Sequence, residues 1–255
     1  MTDDILFDID GAVATITLNR PAKLNAATPA MARAIVAATE ECNRNDRVRC
    51  VIVTGTGRAF CAGSDIAELD SYATPWDFRN RTDYCDAIHR LLKPSIAAVN
   101  GHALGGGLET ALSCDIRIAS DNARFAAPEV RLGWIGGGGM AAFLAHSIGA
   151  SNAALMLMTG DPIDAARALA WGLVSEVVAP EDLITRARAL ADTIASRAPI
   201  AAETAKLNLA AAFSMPLAQA MAYERDLQTI CFATADADEG RAAFRDKRPP
   251  VFNRR

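Results

Sequence analysis

Val99-Asn100-Gly101-His102-Ala103-Leu104-Gly105-Gly106-Gly107-Leu108-Glu109 is the stretch on which the reading of this chain turns. The apolar run Ile96 to Val99 reads as a buried strand and Leu108 to Ser113 as a short helix, so the glycines mark a strand-to-helix junction. The first N–H groups of a helix have no intrahelical acceptor and point, with the helix dipole, at whatever precedes the helix. Glycine at that point lets a substrate oxygen approach closely. Glu109 follows Gly106 by three residues, which puts carboxylate and amide near one helix face. A base beside an N–H donor for a developing oxyanion is enolate chemistry in outline.

The same arrangement recurs upstream. The strand-like Cys50-Val51-Ile52-Val53-Thr54 runs through Gly55-Thr56-Gly57-Arg58 into Ala59-Phe60-Cys61-Ala62-Gly63-Ser64-Asp65-Ile66. Ser64 and Asp65 are good N-cap residues for a helical turn, which leaves the Ser64 amide as a second free donor. Downstream, Pro128-Glu129 leads to Gly136-Gly137-Gly138-Gly139 and brings a second glutamate twenty residues after the first. Taken singly, each turn is equally well read as a tight connection with an ordinary cap, and a Pro-Glu pair as a plain helix start.

The combination resembles the enoyl-CoA hydratase/isomerase, or crotonase, superfamily over essentially the whole chain. The stretches that carry the resemblance are Leu18 to Ala26, Ala59 to Leu69, Val99 to Glu109, Phe125 to Gly139 and Glu239 to Pro249. It implies an α/β fold, a spiral of ββα turns with a helical C-terminal region, divided as a core over 1–195 and a helical trimerisation region over 196–255. It also implies an enoyl-CoA hydratase that adds water across the double bond of a trans-2-enoyl thioester. By the same resemblance Glu109 and Glu129 are the catalytic carboxylates. Ser64 and Gly106 supply the oxyanion amides, and Gly137 supplies an amide for the reacting water. The coenzyme A part of the substrate falls to Lys23, Ala62, Ser64, Asp65, Ile66, Phe244 and Lys247, with Arg20 a further candidate. Coenzyme A enters with the substrate, so neither a separate cofactor nor a metal is expected. Homotrimers or homohexamers are implied as well.

After Leu132-Gly133 the chain has Trp134-Ile135-Gly136-Gly137, where the family often has a small residue and then a proline. A loop without that proline is looser. Isomerase or dehydratase activity, which reuses the same amides, therefore stands as the alternative to hydration, and a non-catalytic acyl-CoA-binding protein stands outside the enzymes. Trp134 is read either as a wall of the acyl pocket or as an anchor for its loop. Gly136 to Ala141 fits a G-x-G-x-x-A dinucleotide pattern, but it lacks a preceding strand and an acidic ribose ligand. No G-x-S-x-G elbow of a serine hydrolase occurs. His89, His102 and His146 have no partners at ligand spacing and read as packed histidines.

Composition sets the outer bounds. The 255 residues are 51% hydrophobic with a formal net charge of -4, enough for a sizeable core and without the basic surface of a nucleic-acid binder. Cysteines 42, 50, 61, 85, 114 and 231 form no C-x-x-C pair and read as free, mostly buried thiols, which suits a reducing cytoplasm. The start of the chain has no basic and apolar leader pattern, and no apolar run is read as long enough to span a membrane.

Ile5 to Ile9 and Ala12 to Leu18 around Asp10-Gly11 predict an opening hairpin. Helices are predicted over Pro29 to Cys42, Trp76 to Leu92, Leu183 to Ser196, Ile200 to Ala212 and Leu217 to Cys231. Strands are predicted over Val51 to Thr54, Ser95 to Val99, Asp115 to Ala119, Arg124 to Ala126 and Leu173 to Val178.

Overall fold

A computed structural model describes residues 3–255. The chain opens with the antiparallel hairpin of β1 (Ile5–Asp10) and β2 (Val13–Leu18), paired from Ile5 with Leu18 to Asp10 with Val13. Gly11 turns it at φ 62°. Helix α1 (Pro29–Arg44) follows; the Thr28 hydroxyl accepts from Met31 N–H and proline occupies its first turn, a well-formed helix start.

Three turns of the spiral then each lay one strand into each of two sheets. β3 (Cys50–Gly55) leads to β4 (Ala59–Cys61), β5 (Ser95–Val99) to β6 (His102–Leu104), and β7 (Ile116–Ser120) to β8 (Arg124–Ala126). The large sheet is ordered β1-β2-β3-β5-β7-β10, closed by β10 (Glu176–Val178), and the small sheet β4-β6-β8-β9, closed by β9 (Ile163–Asp164). β3, β5 and β7 are parallel, as are β4, β6 and β8.

The long strands are covered on both faces, which is why they are continuously apolar rather than alternating. Val51, Val53, Ala97 and Val99 face one core with Met31, Ile35, Leu108 and Phe125. Cys50, Ile52, Ile96, Ala98 and Ile118 face the other, against Leu183, Ala187 and Ala191 of α8 (Leu183–Ala195). Buried Asn25 fastens the turn after β2 to β4. Its amide donates to the Thr56, Ala59 and Phe60 carbonyls, and its Oδ1 accepts from Arg20 N–H.

Between β4 and β5 lie α2 (Ile66–Leu69), α3 (Pro75–Arg79) and α4 (Tyr84–His89). The single helix predicted from Trp76 to Leu92 is thus two helices. Asp83 interrupts it by accepting from the N–H groups of Cys85 and Asp86, a cap that competes with helix continuation. Further on come α5 (Gly106–Leu112), α6 (Met140–Thr159) and α7 (Ala165–Trp171).

The expectation that no apolar run is long enough to span a membrane needs correction, because α6 has 20 residues and contains an 18-residue stretch of mean hydropathy 1.4. Gly149, at φ 76° and ψ 160°, breaks it in the middle. Each half is then about 15 Å long, roughly half of a bilayer's hydrocarbon core.

α9 (Pro199–Ser214), α10 (Leu217–Phe232) and α11 (Ala235–Asp246) complete the chain. They bury few side chains: Pro199, Ala211, Leu227, Asp236 and Ala243. Polar contacts tie them to the core. Fully buried Lys93 pairs with Glu203 at 2.9 Å, Arg49 donates to the Phe252 carbonyl at 2.7 Å, and the Asp236 carboxylate accepts from Asn253 and Arg254 N–H.

Candidate active site

Because β4, β6 and β8 are parallel neighbours, their carboxyl ends lie side by side, and the segment leaving each is delivered to the same edge. Ala62 to Asp65 leaves β4, Gly105 and Gly106 leave β6, and Pro128 and Glu129 leave β8. A cleft of about 130 Å³ opens there, lined by Ala62, Gly63, Ser64, Gly105, Gly106, Pro128 and Glu129 together with Glu109, residues of the α3–α4 segment and the loop from Leu132 to Gly137.

Two N–H groups face it without a protein acceptor. The residues flanking Ser64 are held to Ala27, Ala27 N–H donating to the Gly63 carbonyl and Asp65 N–H to the Ala27 carbonyl. Strand alternation turns the Ser64 N–H the other way. Gly106 is the first residue of α5, where no intrahelical acceptor exists. Close packing joins the two: a Cβ on Gly63, which sits at φ 96°, would lie 3.2 Å from the Gly106 nitrogen. A side chain on Gly106 would meet the Tyr84 hydroxyl at 2.1 Å and would have to displace that ring.

The two glutamates complete the edge. Glu109, on the first turn of α5, is 5% exposed, and its Oε1 accepts from Gly138 N–H at 2.7 Å and Met140 N–H at 3.3 Å. Burial raises its pKa to about 7; the Gly138 hydrogen bond opposes this, and the charge of Glu129 adds to it. Glu129 is held by the 3-10 turn Pro128–Leu132. Burial raises its pKa as well, and its Oε2 is buried with no protein partner. A buried carboxylate oxygen without a partner is costly, and a ligand or water in the cleft would relieve it. Two buried carboxyls whose pKa values are both raised by burial can act as acid and base.

The remaining candidates divide. Ala62, Ile66 and Gly137 line the cleft with the others. Asp65 has structural work, receiving Arg20 at 3.0 Å and capping α2 through Ala67 N–H. Arg20 is spent in that pair and on the Ala26 carbonyl. Lys23 is exposed on a 3-10 turn. Phe244, 86% exposed, and Lys247, the C-cap of α11, are absent from the cleft wall. Trp134 lines the cleft and remains 42% exposed. Glu109 is held by the N–H of Gly138, the residue after Gly137. His89 packs on Phe143 and His146 stacks on Phe213 at 4.8 Å.

Sequence reasoning missed Tyr84, Cys85 and Arg81. The Tyr84 hydroxyl lies 3.2 Å from Ser64 Oγ. Cys85 Sγ donates to the Gly106 carbonyl at 3.4 Å, and Arg81 reaches the cleft while paired with Asp83 at 2.8 Å. All three come from the segment read as one uninterrupted helix. The Asp83 cap inside that segment was the available signal.

A two-sheet ββα spiral with paired amides and paired carboxylates at one strand edge defines a class of protein, and comparison with known proteins gives the same class. The chain belongs to the enoyl-CoA hydratase/isomerase family, whose model matches residues 8–255. It is 40% identical over 259 residues to a probable enoyl-CoA hydratase of Mycobacterium bovis, covering 99% of each. It is 38% identical over 251 residues to a short-chain-enoyl-CoA hydratase of Clostridium acetobutylicum, covering 96% of each. Among solved structures, an enoyl-CoA hydratase of Bacillus anthracis superposes with a TM-score of 0.94 at 32% identity, covering 99% of this chain and 100% of that one.

Proposed function

We propose that the protein is an enoyl-CoA hydratase acting on trans-2-enoyl thioesters of short or medium length. The observation that carries the reading is that buried Glu109 and Glu129 face one cleft together with the acceptor-free N–H groups of Ser64 and Gly106. In this reading the thioester oxygen rests between the two amides, an oxyanion hole in which a single donor is worth about 10² to 10³ in rate. Water is held between the carboxyls, aided by the Gly137 N–H. One carboxyl accepts the water's proton as oxygen adds at Cβ, and the other donates a proton to Cα. Such a matched pair contributes roughly 10² to 10⁴.

Coenzyme A arrives as part of the substrate, and the reaction calls on no further cofactor or metal. Ala62 and Ile66, at the cleft wall, and Lys23, outside it, are proposed for its arm and nucleotide. Phe244 and Lys247 are proposed to serve a neighbouring subunit's cleft. Exposed Leu209, Phe213, Leu217, Met221 and Ile230 on α9 and α10 make an apolar surface of the kind that marks an interface. It supports assembly as a homotrimer or homohexamer through 196–255, with 1–195 as the catalytic core. Six free cysteines, five of them buried, support a cytoplasmic setting.

The test is a panel of trans-2-enoyl-CoA thioesters followed by loss of enoyl-thioester absorbance. Decay to the 3-hydroxy product is expected. Double-bond migration alone would make the protein an isomerase, and binding without turnover would make it an acyl-CoA-binding protein.

A further inference from the structure

The hydroxyls of Ser64 and Tyr84 lie 3.2 Å apart, and neither has another protein partner among the described residues. Two hydroxyls bring two protons, and a single hydrogen bond between them uses one. The other proton therefore has no protein acceptor, although Tyr84 is buried, 6% exposed. Both residues line the cleft. The Tyr84 oxygen stands where a Gly106 side chain would begin, 2.1 Å from that Cβ position, and Ser64 carries the other acceptor-free amide. The hydroxyl pair thus lies beside the two residues whose N–H groups lack an acceptor.

We infer that the Ser64 hydroxyl is a third hydrogen-bond donor to the thioester oxygen, oriented by Tyr84, which donates to Ser64 Oγ. The direction follows from acidity: a phenol is the better donor and an aliphatic hydroxyl the better acceptor. Donation from Tyr84 also polarises the serine O–H, because hydrogen bonds in a chain strengthen one another. Ser64 then touches the substrate and is catalytic, while Tyr84 is a positioning residue. The inference rests on the oxyanion-hole reading of the proposed function.

The experiment measures the infrared carbonyl stretch of bound, carbonyl-labelled butanoyl-CoA, a saturated thioester that does not turn over. It also measures kcat and KM on trans-2-butenoyl-CoA, for the wild type, Ser64→Ala, Tyr84→Phe and the double variant. The wild type is expected to lower the stretch below that of the free thioester. Ser64→Ala should move it back part of the way and lower kcat about 10- to 100-fold, the range for one hydrogen bond to a charged acceptor, with KM little changed. Tyr84→Phe should lose less, and the double variant no more than Ser64→Ala. A Ser64→Ala protein with wild-type stretch and kcat overturns the inference, as do losses that multiply in the double variant. A wild type that leaves the stretch unshifted removes the oxyanion hole altogether. A shifted stretch without turnover of the enoyl thioester leaves the third donor standing and removes the hydratase reading.

Discussion

Glu109 shows how a single residue couples function to stability. Its carboxyl sits at about 7 in the folded protein against an ordinary 4.5, mainly because it is buried. Between those values the folded protein holds a proton that the unfolded chain has released. The favourable contribution is therefore complete below about pH 4.5 and is lost as pH rises through 7. Glu109→Gln stays neutral and keeps an oxygen for the Gly138 N–H. It is expected to be more stable than wild type at pH 8, by about 1–3 kcal/mol, and equal to it near pH 4.5. Thermal melts across that range check this, and a difference that does not vary with pH would contradict it. The place of this residue was legible, because a glutamate three residues into a helix that starts at a glycine run lies beside free N–H donors by position alone. Its partner at Gly138 was not, since that contact spans twenty-nine residues and depends on how a glycine loop folds back.

Among the elements, those whose burial is written locally were readable. β1, β2, β3, β5 and β7 are apolar enough to be seen, and α8, α9 and α10 end within two residues of expectation. The strands β4 and β6 are three residues each, too short for a period, and exist because a parallel neighbour supplies their hydrogen bonds. That edge nevertheless builds the site. The loop from Leu132 to Gly137 carries a prediction of its own. Trp134 stands in the cleft wall and is part-exposed, so Trp134→Ala is expected to enlarge the acyl space, raising kcat/KM for longer enoyl chains relative to short ones. Removing one large side chain from such a wall shifts preferences by about 1–3 kcal/mol. A chain-length profile identical to wild type, together with a large fall in Tm, would assign Trp134 to loop support instead.

At the scale of the whole molecule the question is assembly. α9 to α11 leave large apolar side chains in solvent while holding the core through Lys93–Glu203 and the Asp236 backbone clasp, a surface better covered by a second copy than by water. Sedimentation at micromolar concentration is expected to give a species at least three times the 27.0 kDa chain mass. A 27.0 kDa particle would remove the assembly and, with it, the proposed roles of Phe244 and Lys247. The spiral itself was legible only through resemblance, because its three turns share a path in space and no repeated residue pattern.

The hydratase reading depends on Glu109 and Glu129 acting together on one water, and the hydration rates of Glu109→Gln and Glu129→Gln decide whether they do. Loss of trans-2-enoyl-CoA absorbance is expected to slow by about 10² to 10⁴ in each variant, with thioester binding retained. Full hydratase activity in Glu129→Gln would contradict the paired-carboxylate mechanism.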